Sequence, residues 1–163
     1  MELIQPPRVV ARPEIPYLGL RLVTPFRGML GKRDELLREL IEWLGRNEVA
    51  DAGPFFLRLV VIDMDGDMEI EVGAVTPEPR DGDDRVSAGV LPAGRYATLT
   101  YRDHALRANR ALLEWAKAGE VALDRWNDPA GDRFACRYEA YLTDPRTEPR
   151  KTKWEVELNI RTR

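Results

Sequence analysis

Met68-Glu69-Ile70-Glu71-Val72 alternates apolar and acidic side chains, and the pattern returns 86 residues later as Trp154-Glu155-Val156-Glu157-Leu158. A two-residue period is that of a strand with one buried face, and its recurrence points to internal repetition. A second echo agrees. Leu40-Ile41-Glu42-Trp43-Leu44 is matched 72 residues on by Leu112-Leu113-Glu114-Trp115-Ala116. Each stands near the end of a helical pattern, one starting at about Lys32 and the other at about Asp103.

Working outward, residues 17–23 predict a strand before the first helix, and residues 94–101, opened by Pro92-Ala93-Gly94, predict one before the second. After each helix comes a strand pair. Residues 56–62 return through Asp65-Gly66 into 68–75, and residues 134–142 return through Asp144-Pro145 and a longer polar loop into 153–161. The expectation is an α+β fold of two β-α-β-β units related by a pseudo-twofold axis. Antiparallel sheet carries the helices on one face and a ligand cleft on the other. Residues 76–85, with Pro77, Pro79, Gly82 and four acids, read as a connector. The units span about 8–75 and about 86–162 of a single domain over 1–163, because neither half can bury its own sheet.

Composition limits the function classes. With 163 residues, 44% of them hydrophobic and 33% charged, the chain is long enough to bury a substantial core. Lys and Arg number 25 against 28 Asp and Glu, a net charge of −3 that provides no general attraction to nucleic acid or an anionic membrane. Apolar runs are far shorter than a membrane helix requires. Cys136 is the only cysteine, so there is no internal disulfide and no thiolate zinc site, and a cytoplasmic location is expected. Neither a metal nor a cofactor is expected.

Strand alternation then assigns faces. Leu57, Leu59 and Val61 share the helix side with Ile70, Val72 and Ala74, and the other face carries Phe56, Arg58, Val60, Ile62, Glu69 and Glu71. In the second unit Cys136, Tyr138, Ala140 and Leu142 are aligned with Trp154, Val156, Leu158 and Ile160 on the helix side. Arg137, Glu139, Tyr141, Glu155, Glu157 and Asn159 are left opposite. Two outcomes stand open for this second face. Brought together across the symmetry axis it forms a cleft with aromatic walls and a carboxylate floor, suited to greasy cations. Alternatively, Glu139 and Glu157 pair with Arg58 and Arg137 and balance a solvated surface.

Other signals are weaker. Asp63-Met64-Asp65-Gly66-Asp67 fails the calcium-loop pattern, since Met68 stands where glycine belongs and Ala74 where glutamate belongs. His104 is the only histidine and reads as exposed near a helix start; Cys136 reads as inert packing. Trp43 and Trp115 occupy matching helix positions and read as core. Trp126 falls in an irregular segment and is either a lid over the cleft or a plug. The basic cluster of Arg146, Arg150, Lys151 and Lys153 reads as a solvated hairpin, so no direct nucleic-acid contact is expected.

The runs Leu91-Pro92-Ala93-Gly94-Arg95-Tyr96-Ala97, Ala111-Leu112-Leu113-Glu114-Trp115, Arg137-Tyr138-Glu139-Ala140-Tyr141-Leu142-Thr143-Asp144-Pro145 and Lys153-Trp154-Glu155-Val156-Glu157-Leu158 resemble the GyrI-like small-molecule-binding domain. That fold serves as the effector domain of BmrR-type and Rob-type regulators and is related to the SOUL haem-binding proteins. The resemblance covers about residues 8–162 and implies a cleft for hydrophobic, often cationic or planar, compounds with Glu139 as its central acid and Glu157 second. Asn159 stands where relatives often carry an aromatic, and Tyr101-Arg102-Asp103-His104 departs from a Gly-Pro-Tyr turn.

The expected site therefore comprises Glu139, Tyr141, Glu157, Asn159, Phe56, Glu71, Tyr17 and Trp126. Only about sixteen residues precede the first predicted strand, so a stand-alone binder of hydrophobic or cationic small molecules is expected. The resemblance also implies two rivals: a hydrolase that opens cyclopropane-containing genotoxic compounds with Glu139 as catalytic group, and a protein-interaction role such as modulation of gyrase.

Overall fold

The computed structural model describes the whole chain, Met1–Arg163. Strands β1 (Glu2–Arg12) and β2 (Ile15–Pro25) precede helix α1 (Met29–Arg46). Strands β3 (Phe55–Ile62), β4 (Asp67–Val75), β5 (Ser87–Leu91) and β6 (Gly94–Arg102) lead to α2 (Ala105–Ala118). Four further strands follow: β7 (Arg125–Asp128), β8 (Gly131–Phe134), β9 (Arg137–Tyr141) and β10 (Glu155–Arg161). No helix is long and apolar enough to cross a membrane.

The helices form where the apolar residues recur on one stripe. Leu36, Leu37, Leu40, Trp43 and Leu44 of α1 are buried, as are Ala108, Leu112 and Ala116 of α2. Gly28, at φ 86°, starts α1 from a left-handed conformation that glycine adopts without steric cost.

All strand pairings are antiparallel, in the order β1-β6-β10-β9-β3-β4-β2-β5, with the β7–β8 hairpin attached through β8 to β3. Exchanging β1 with β5, β2 with β6, β3 with β9 and β4 with β10 leaves that order unchanged. Three expectations are corrected here. The residues ahead of the first predicted strand form β1, which pairs with β6. The segment of Trp126 is not irregular but belongs to β7. The β3–β4 turn is wider than the two residues Asp65-Gly66: strand ends at Ile62 and resumes at Asp67, after a bulge between Leu59 and Val61.

Two apolar groups result. Twenty-eight buried residues fill the space between the helices and one sheet face, including Leu57, Ile70, Val72, Val156, Leu158 and Ile160. On the other face Tyr17, Phe56, Leu91, Tyr96, Cys136, Tyr138 and Ala140 are buried together with no helix residue among them. Leu91 comes from one edge of the strand order and the adjoining Val10 from the other, while Phe56 and Tyr138 come from its middle. The sheet therefore curls around this second group.

Candidate functional site

Helix α1 packs on β2 and β4, and α2 packs on β6. Strands β9 and β3 run in the middle of the sheet, so the helix-facing side chains of β9 form the floor of the gap between the two helices. Those side chains are set by the β9–β10 register. Tyr141 pairs with Val156, Glu139 with Leu158 and Arg137 with Ile160, and on the other flank Glu139 pairs with Leu57. Glu139 and Tyr141 thus lie on the helix side among core residues.

This corrects the expected alignment by one residue, and a one-residue slip turns every side chain of a strand to the opposite face. Tyr17, Phe56, Glu71, Glu157 and Asn159 remain on the helix-free face, apart from Glu139 and Tyr141. The expected hollow there is filled. Tyr17 meets Phe56 edge-on with centroids 5.0 Å apart, Phe56 meets Tyr138 at 5.8 Å and Tyr138 meets Tyr96 at 6.0 Å. The acids of that face are also engaged. The Tyr17 hydroxyl donates to Glu71 Oε1 at 2.6 Å, and burial first, then the Glu71 charge, pushes its pKa up to about 12. Arg12 donates to Asn159 Oδ1 and Glu157 Oε1, each at 3.0 Å. Trp126 is 45% exposed on β7 and joins neither group.

The floor of the gap has its own network. The Tyr141 hydroxyl donates to Glu139 Oε1 at 2.6 Å, and Arg33 Nη1 of α1 donates to the same hydroxyl at 3.3 Å. The Arg33 guanidinium stands over the rings of Tyr141 and Trp154, 5.6 and 5.8 Å from their centroids, and those rings lie 5.1 Å apart. Across the floor, Arg137 Nη2 donates to Asn109 Oδ1 of α2 at 2.9 Å, and its guanidinium stacks 4.8 Å from the Phe134 centroid.

Burial pushes the Glu139 carboxyl above its ordinary value, an effect partly offset by the Tyr141 hydrogen bond and by the charges of Arg33 and Arg137. Burial and the neighbouring Glu139 push Tyr141 well above the usual phenol range. Arg137 is lowered to about 10, by burial first and then by Arg125. Glu139 is enclosed yet not fully covered, because it borders a small cavity of ≈ 10 Å³, room for about one water, shared with Leu59, Asn109, Arg137 and Leu158. Tyr141 borders a second, more open hollow of ≈ 260 Å³ with Phe55, Leu142 and Arg146. One hydrogen bond joins the walls of the two. Such a carboxyl can neutralise a ligand cation or exchange a proton with water or substrate.

A family model for the GyrI-like small molecule binding domain matches residues 5–163. The chain belongs to this family. No curated protein matches the sequence of this GyrI-like chain. Among solved structures, the EcmrR C-terminal domain superposes with a TM-score of 0.63 at 14% identity, with 99% of each chain covered. In the EcmrR–DNA complex the GyrI-like chain spans 56% of the EcmrR chain. A hydrolase from Listeria innocua gives 0.62 at 12% identity, covering 99% of this chain and 93% of that one. SAV2435 bound to tetraphenylphosphonium gives 0.60 at 11%, covering 96% and 93%. At these identities the likeness is one of fold.

The residues missed from sequence are Arg33, Trp154 and Asn109. Arg33 had a usable signal, because it interrupts the buried stripe of Met29, Leu36, Leu37 and Leu40. A charge on an apolar stripe requires a partner inside.

Proposed function

We propose that this GyrI-like protein acts as a single domain that binds hydrophobic small molecules, lipophilic cations among them, in the gap between α1 and α2. Glu139 is the acidic centre, and Tyr141 and Trp154 are the aromatic wall. The observation that carries this is the arrangement at Glu139: a half-buried carboxyl, joined through the Tyr141 hydroxyl to a positive group lying on two aromatic rings. Aromatic faces attract cations by roughly 0.5–2 kcal/mol depending on desolvation, and a partly buried carboxylate adds neutralisation without strict geometry. The fold shared with SAV2435, whose structure holds tetraphenylphosphonium, supports the same ligand class. Calorimetric titration of that cation against wild type and Glu139→Gln tests it. A loss of about tenfold or more in the variant is expected; equal affinity would remove the counter-ion role.

A second reading has one observation in its favour. The raised pKa of Glu139 suits proton exchange with a water that opens a strained carbon ring, and the Listeria innocua hydrolase shares the fold. Products detected by mass spectrometry with wild type and absent with Glu139→Gln would establish turnover; ligand recovered unchanged would exclude it for that compound.

A further inference from the structure

Arg33 projects from the buried stripe of α1, and the residue is only 6% exposed. Its guanidinium makes three side-chain hydrogen bonds. Nε and Nη2 donate to Asp34 Oδ1 at 3.1 and 2.9 Å, towards the outer end of the gap, and Nη1 donates to the Tyr141 hydroxyl at 3.3 Å. Arg33 makes no ion pair with Glu139; the two are linked only through that hydroxyl. The guanidinium carbon lies over the rings of Tyr141 and Trp154.

Two tilted aromatic rings, a phenol oxygen and a carboxylate one hydrogen bond further in are the groups with which an aromatic cage holds an organic cation. In this chain the cage is already occupied by the chain's own side chain. We infer that Arg33 determines the selectivity of the gap: it is an internal cation that a positively charged ligand must displace from Tyr141 and Trp154, whereas a neutral apolar ligand need not. The inference rests on the binding site proposed above and adds which ligands that site penalises.

Displacement has a route. Asp34 keeps a quarter of its side chain exposed and is also held by Lys151 Nζ at 2.9 Å. Arg33 can therefore swing towards Asp34 and water, keeping two of its three hydrogen bonds and freeing the rings. Lysine is not equivalent, because an ammonium lacks the planar fork that stacks on a ring while donating to two separate oxygens.

The test titrates wild type, Arg33→Met and Arg33→Lys with tetraphenylphosphonium by calorimetry and with the neutral dye Nile red by fluorescence. Methionine keeps an unbranched apolar stem and removes the charge. Tetraphenylphosphonium is expected to bind Arg33→Met about tenfold more tightly than wild type, and Arg33→Lys by an intermediate factor. Nile red affinity should stay within about threefold in all three proteins. Unchanged or weaker cation binding by Arg33→Met, with Nile red binding intact, overturns the inference and leaves the site standing. If Arg33→Met fails to fold, Arg33→Lys decides, and cation affinity at or below wild type overturns the inference. Failure of both probes with every protein removes the site and the inference together.

Discussion

Replacing Tyr141 with phenylalanine removes one hydroxyl from the floor of the gap and leaves the ring against Trp154. That hydroxyl donates to Glu139 Oε1 at 2.6 Å and accepts from Arg33 Nη1 at 3.3 Å. Arg33 retains Asp34, so most of the loss falls on Glu139, whose buried oxygen is left without its donor. Hydrogen bonds to charged groups contribute about 1.5–3 kcal/mol. The expected destabilisation at neutral pH is therefore about 2 kcal/mol, or a fall in Tm of roughly 4–8 °C for a chain of this size.

The pH dependence makes the test sharper. Donation by Tyr141 favours the ionised form of Glu139, so removing it raises the already elevated folded-state pKa further. The variant then holds the Glu139 proton to higher pH than wild type. The stability gap widens as pH rises through the interval between the two folded-state values and shrinks on acidification. Urea unfolding at a series of values from about pH 4 to pH 8 measures it. A penalty below about 0.5 kcal/mol at neutral pH, or one that stays constant on acidification, would refute the placement of this hydroxyl.

Glu139→Gln should be more stable than wild type at neutral pH. The folded-state pKa lies above the unfolded one, so wild type loses stability as pH rises from the unfolded value towards the folded one, and the amide does not; superimposable pH profiles of thermal unfolding would contradict this. Gly73→Ala should cost about 1–3 kcal/mol or more, because the new methyl would enter the space of the buried Phe56 ring. A thermal melt equal to wild type would contradict the packing of the helix-free face. Trp126→Ala should change stability by no more than about 0.5 kcal/mol and leave ligand affinity unaltered. A several-fold loss of tetraphenylphosphonium binding would bring the β7–β8 hairpin into the site.

Both helices and six of the ten strands are legible in the sequence because their apolar residues keep one period. Strand β1 is not, since Pro6 and Pro7 interrupt it. It survives as an edge strand whose register shifts between Leu3 and Gln5 and again between Gln5 and Arg8, across the prolines. Strand β9 is legible as a strand but not in register. Tyr138 and Ala140 are buried on one face and Arg137 and Tyr141 on the other, so alternation cannot choose between faces. The long loop before β10 lacks a tight turn to fix the pairing. The resemblance puts Glu139 forward as the central acid, whereas the surroundings of that side chain depend on a single residue of register.

The strand order has a mechanical meaning. Strand β1 seals the border of β6, and β5, the first strand after residues 76–85, seals the border of β2. The chain before residue 77 and the chain after residue 85 each reach across and close a margin of the other, like two people linking arms. A protease nick within the largely exposed residues 77–85 would leave the pieces clasped, since neither could depart without peeling an arm off its host. Either piece made alone would carry a raw, unpaired margin ready to capture a foreign strand.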